Sequence, residues 1–128
     1  MTPIVLTVTA DPQLARLLQQ MLSMVSLQMI LKDSLQLAAQ YLRSESLPQL
    51  IILDWALQDG TIPHFLRQMR GQSRFADLPT LVIVSEPDPA AIKEVLEAGA
   101  DRYLTQSFIQ TNLLRALRDM QITTPQPS

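Results

Sequence analysis

The sequence predicts an α/β domain: an open, doubly wound parallel sheet of five strands with helices on both faces. Three observations carry that expectation. Short apolar runs, several of them β-branched, recur at Ile4 to Val8, Leu27 to Lys32, Leu50 to Asp54, Thr80 to Val84 and Arg102 to Thr105. Each is followed by a stretch with apolar residues at helical spacing. The strand-plus-helix units repeat at ~25 residues, and alternation at that spacing means parallel strands joined by right-handed crossovers. Five units do not close a barrel of eight, so the sheet stays open.

The first strand, Ile4 to Val8, runs into Thr9-Ala10-Asp11-Pro12. Asp11 followed by Pro12 is a helix start, an Asp cap and then Pro at the first helical position. Leu14, Leu17, Leu18, Met21 and Leu22 form one apolar stripe of that helix. The second strand signal is weaker, with Leu27, Met29 and Leu31 alternating against Gln28, Ile30 and Lys32. Asp33 or Ser34 can cap a second helix carrying Leu35, Ala38, Ala39 and Leu42, which Ser44 to Pro48 breaks. The third strand is the most apolar and ends in Asp54. A loop from Trp55 to Ile62 leads to Pro63, which opens a short third helix with Phe65, Leu66 and Met69 inward. Gly71 to Pro79 reads as a polar loop. The fourth strand ends at Ser85-Glu86. Asp88-Pro89 repeats the cap-plus-Pro start, and Ile92, Val95 and Leu96 give the fourth helix its apolar side. Gly99 suits the position after a helix end. After the fifth strand, a last helix near Gln110 to Met120 buries Leu113, Leu114 and Leu117. Residues 1–121 are expected to form one domain, and 122–128, with two prolines, a flexible tail or the start of a linker.

Bulk composition excludes several classes. At 128 residues the chain suits a single core. Its net charge of −2 gives no electrostatic footprint for nucleic acid. The absence of cysteine excludes a disulfide framework, thiol chemistry and cysteine-ligated metal, and fits a cytoplasmic setting. No apolar run approaches the ~20 residues of a membrane span, and Met1 to Ala10 has no signal-peptide pattern. With only Gly60, Gly71 and Gly99, a glycine-rich phosphate loop is missing.

Four large apolar residues, Leu50 to Leu53, describe a strand buried on both faces, and Asp54 interrupts them. A buried, unpartnered carboxylate is costly, so Asp54 belongs where the strand emerges. In an open parallel sheet that edge is where ligands bind, although a strand-ending Asp that merely starts a turn is an equally simple reading. The same edge collects Thr9-Ala10-Asp11, Asp33, Ser85-Glu86 and Thr105-Gln106-Ser107.

Two blocks, Leu50-Ile51-Ile52-Leu53-Asp54-Trp55 and Ala98-Gly99-Ala100-Asp101-Arg102-Tyr103-Leu104-Thr105, resemble segments of the receiver domain of two-component response regulators. The resemblance extends from Pro3 to about Met120 and implies the flavodoxin-like strand order 2-1-3-4-5. In that family an aspartate ending the third strand accepts a phosphoryl group from a histidine kinase, and Asp54 matches it. Ser85 matches a hydroxyl that bonds the phosphoryl group, and Tyr103 an aromatic residue that swings with phosphorylation state. The pattern fails elsewhere. Two Mg²⁺-holding acids align with Thr9 and Ala10. A lysine aligns with Gln106, and the proline after it with Ser107. Asp11 is one position late and fits a helix cap better.

Phosphoryl transfer relies on cations that neutralise developing charge, and Mg²⁺ needs an oxygen shell with one or two carboxylates. The expectation is therefore a pseudo-receiver: not an enzyme, without metal or other cofactor, working by protein contact in signal transduction. The resemblance supplies the partner classes, a histidine kinase, an output domain or another regulator. It also supplies the surface, the face of the fourth helix, fifth strand and fifth helix, including Tyr103 and Arg115, through which a homodimer is also conceivable. The alternative is a phosphoacceptor at Asp54 within a phosphorelay, with an unusual Mg²⁺ site to which Asp59 or Glu86 would lend a carboxylate. Among other residues, His64 lacks a catalytic partner at close spacing. Trp55 is expected to point out of the sheet edge, either as an anchor for a partner or packed on the loop. Arg67, Arg70 and Arg74 are expected to be a solvated basic face.

Overall fold

The computed structural model describes residues 3–44, 47–86 and 88–122. Strands β1 (Ile4–Val8), β2 (Gln28–Lys32), β3 (Leu50–Asp54), β4 (Thr80–Val84) and β5 (Arg102–Thr105) alternate with helices α1 (Pro12–Met24), α2 (Leu35–Ser44), α3 (Ile62–Arg70), α4 (Pro89–Ala98) and α5 (Ile109–Asp119). The strands form one sheet in the order β2-β1-β3-β4-β5, with every pairing parallel. This is the flavodoxin-like arrangement.

Alternate side chains of the central strands feed two cores. Val5, Leu50, Ile52, Leu81 and Ile83 pack with Leu14, Leu18 and Leu22 of α1 and Leu113 and Leu117 of α5. Leu6, Val8, Ile51, Leu53 and Val82 pack on the other face with residues of α2, α3 and α4. Strand β3 is buried from end to end, Asp54 included. Central strands covered on both faces must be apolar at both parities, which is why β3 and β4 read as continuous runs.

Helix starts follow their caps. Asp11 accepts from the N–H groups of Gln13 and Leu14, Asp88 from that of Ala90, and Thr61 from that of His64. Thr61 therefore starts α3 one residue before Pro63, at Ile62. Ser34 accepts from Leu37 N at the start of α2. Gly99 ends α4 with φ +124°, a conformation that side chains disfavour.

Several expectations are corrected. Leu31 is 44 % exposed and Leu96 41 % exposed rather than inward. As an edge strand, β2 shares its half-buried residues between the two cores, Met29 with one and Ile30 with the other. The 71–79 stretch is not simply polar: a 3₁₀ turn, Ser73–Phe75, drives Phe75 into the core, and Leu78 follows. A second 3₁₀ turn, Gln106–Phe108, precedes α5. Ile122 is not tail: it is buried, and its N–H donates to Leu117 O at 2.8 Å. The rest of the expected tail, 123–128, lies outside the described residues.

Candidate functional site

The carboxyl ends of β1 and β3 lie side by side, with Val8 opposite Leu53, and this register brings Thr9 to Asp54. Thr9 Oγ1 donates to Asp54 Oδ2 at 2.7 Å, and Ala56 N donates to Asp54 Oδ1 at 3.0 Å. Both residues are nearly enclosed, Thr9 at 2 % and Asp54 at 9 % exposure. Each carboxylate oxygen thus accepts from a neutral donor, so neither is left unpartnered. The Asp54–Ala56 bond is the turn-starting interaction expected of a strand-ending Asp. The Thr9 hydroxyl in turn accepts from Asp11 N at 3.1 Å, which fixes its rotamer.

The other expected members are dispersed around this pair. Ala10 is exposed and offers no ligand atom on its side chain. The Asp11 carboxylate is engaged with the first turn of α1. Ser85 lies exposed in the bend after β4, and Gln106 is exposed in the turn after β5. Tyr103 is outward, at 39 % exposure. His64 is exposed at the start of α3. Trp55 does not stand free of the edge: it is half-buried against the core of α2, α3 and α4.

Two residues have roles that sequence reasoning missed. Asp59 accepts from Leu35 N and Gln36 N, both at 3.0 Å, and so caps α2 from the β3–α3 loop. Those two N–H groups hold its carboxyl below the ordinary value. Its carboxylate is turned to α2, not lent to Asp54. Arg70 is no part of a solvated basic face. Its Nε and Nη2 donate to Gly99 O (3.0 and 2.8 Å), Nη1 to Phe75 O (2.8 Å), and Nη2 to Thr80 Oγ1 and Asp101 Oδ2 (both 3.1 Å). Only 17 % of its side chain is exposed. Asp101 also accepts from Thr80 N at 2.8 Å. No local sequence signal marks Arg70: Gly99, where a Cβ would stand 2.7 Å from Arg70 Cγ, lies 29 positions away.

The family model for the response regulator receiver domain matches residues 5–118. The chain belongs to the response regulator receiver domain family. Among curated proteins, it is 29 % identical over 75 residues to the phosphate regulon transcriptional regulatory protein PhoB of Escherichia coli, covering 59 % of this chain and 33 % of that protein. It is 36 % identical over 77 residues to the response regulator RppA of Synechocystis, covering 60 % of this chain and 32 % of that protein. The chain thus spans about a third of the length of these relatives. Chemotaxis response regulator CheY4 of Vibrio cholerae superposes with a TM-score of 0.85 at 21 % identity, over 94 % of this receiver domain and 99 % of that chain. The receiver domain of an HD domain-containing protein of Pseudomonas fluorescens superposes at 0.83 and 24 % identity, over 95 % and 96 %. No described helix of this receiver domain is long and apolar enough to cross a membrane.

Proposed function

We propose that this receiver domain is a pseudo-receiver: it transmits a signal by protein–protein contact, without Mg²⁺-dependent phosphorylation of Asp54 and without catalysis of its own. The observation that carries this reading is the Thr9–Asp54 bond. Where the family's motif supplies a metal-binding acid, this chain supplies an uncharged hydroxyl that already occupies one oxygen of the acceptor carboxylate. The residues present do not fit the ion. Among the described residues no three acid or histidine side chains gather into a possible metal site. Asp11 and Asp59, the nearest substitutes in sequence, are engaged with helix starts. Without a divalent ion or a lysine, attack on a phosphoryl donor lacks the positive charge that the transition state needs.

Output in this reading comes from the face of α4, β5 and α5. Leu96, Asp101, Arg102, Tyr103, Leu104 and Ala116 surround a shallow hollow there. Arg102 bridges to Asp119 at 3.7 Å across its edge, and Arg115 is exposed on α5. The partner is a histidine kinase, an output domain or another regulator, and a second copy could use the same face. The family resemblance and the half-exposed Leu96 and Tyr103 support this surface.

The test titrates the chain with Mg²⁺ and then beryllofluoride, following Trp55 fluorescence and the amide signals of Ser85 and Tyr103. The expected result is no saturable change. Saturable binding that Asp54→Asn removes would establish the other reading, a working phosphoacceptor.

A further inference from the structure

We propose that the hollow beside Trp55 receives an arginine side chain presented by a protein partner. This inference stands whether or not Asp54 is phosphorylated. The hollow has a volume of about 280 Å³ and opens between the β3–α3 loop and α4. Its lining includes Trp55, Leu57, Gly60, Thr61, Pro63 and Glu94. The hollow is open to solvent on one side, so a side chain presented by a larger partner can reach it.

Its chemistry selects which side chain. The walls are an indole, aliphatic groups and backbone, and the one charged residue in the lining is Glu94. Glu94 enters no ion pair among the described residues, and Lys93 beside it pairs with Glu97 at 3.9 Å. His64 is exposed and outside the lining. Glu94 gives this hollow its negative charge. Low-dielectric walls concentrate its field. A guanidinium is planar and weakly hydrated, so it can lie against an aromatic surface while its fork pairs with a carboxylate. A lysine ammonium is more strongly hydrated and gains less from apolar walls.

Trp55 is the single tryptophan, so no other indole contributes to the emission, and the amide shifts distinguish this hollow from the Asp54 site. The experiment titrates the full chain with a capped Gly-Arg-Gly peptide and with the lysine and citrulline versions, by fluorescence and by ¹⁵N spectra. The expected result is a saturable change in Trp55 emission, with amide shifts centred on Gly60, Thr61 and Glu94. It should be weaker for lysine and absent for citrulline. Glu94→Gln should weaken the arginine peptide by about fivefold, and Glu97→Gln should leave it unchanged. The proposal is overturned by any of four results: no saturable change, equal binding of citrulline, equal effects of the two substitutions, or shifts centred on Tyr103. Shifts that appear on concentrating the chain without peptide would place a second copy in the hollow and also overturn it.

Discussion

Between Thr9 and Asp54 a 2.7 Å bond holds a neutral partner against the carboxylate, and reversing that neutrality tests its meaning. Thr9→Asp with Ala10→Asp returns two acids beside Asp54, enough for an octahedral Mg²⁺ shell completed by water. The expected outcome is saturable, Mg²⁺-dependent quenching of Trp55 in the double variant and none in the parent chain. An equal response of the parent would show that Thr9 blocks nothing. Thr7 sits nearby on β1 in the opposite condition: it is fully buried, and its Oγ1 finds no hydrogen-bond partner among the described residues. Replacing an unsatisfied buried hydroxyl with a methyl of the same shape removes a desolvation cost. Thr7→Val should stabilise the fold by about 1 kcal/mol, read as a higher urea midpoint with unchanged slope. Asp54 was legible in the sequence because a carboxylate closing an apolar strand has few explanations. Its bond to Thr9 was not, because that contact depends on the register of two strands 45 positions apart in the chain.

Elements are joined here by two side chains acting at a distance. Arg70 ties the end of α3 to the α4–β5 link and to the start of β4, through Gly99, Asp101 and Thr80. The planar fork makes those bonds simultaneously, and an ammonium cannot. Arg70→Lys should therefore cost about 2 kcal/mol in denaturant unfolding, far more than the same change at exposed Arg67. Gly99→Ala combines a positive φ with a Cβ pressed against an anchored Arg70, and a loss of about 2 kcal/mol is expected. Asp59 is the second tie. Its folded-state carboxyl titrates below its ordinary value of 3.8, so the stability it adds is full above that value and declines as pH falls through it. Asp59→Ala should destabilise by about 1 kcal/mol at neutral pH, and the gap should narrow below about pH 4. A gap that stays constant down to pH 2.5 would refute the cap. Sequence reasoning found the local caps Asp11 and Asp88 because each lies just before its own helix. It could not find Asp59, whose helix begins 24 positions earlier in the chain.

For the whole molecule, alternation of strand and helix was enough to read the sheet. The order β2-β1-β3-β4-β5 came from the family resemblance, and the structure has it. What alternation could not give was the exact exposure of the edge strands, so Leu31 reads as core and is not. Amide exchange should follow the same division, slowest in β1, β3 and β4 and faster in β2 and β5. Slowest exchange in β2 would contradict it. The proposed output face makes a separate claim. Asp54→Ala should leave binding to a co-purifying partner nearly unchanged, while Tyr103→Ala or Arg115→Glu should weaken it by ~1 kcal/mol or more, measured by calorimetric titration. The reverse pattern would move the working surface to the pocket.

If Asp54 is never phosphorylated, as proposed, its carboxylate carries no record of a past stimulus. A phosphorylated receiver is a timer, set by a kinase and reset by hydrolysis. On the pseudo-receiver reading proposed above, neither hand of that clock moves. The dose of such a domain becomes its message, so synthesis and turnover would govern its signal. Doubling its abundance at constant kinase activity should then change output as strongly as a stimulus changes it for an ordinary receiver.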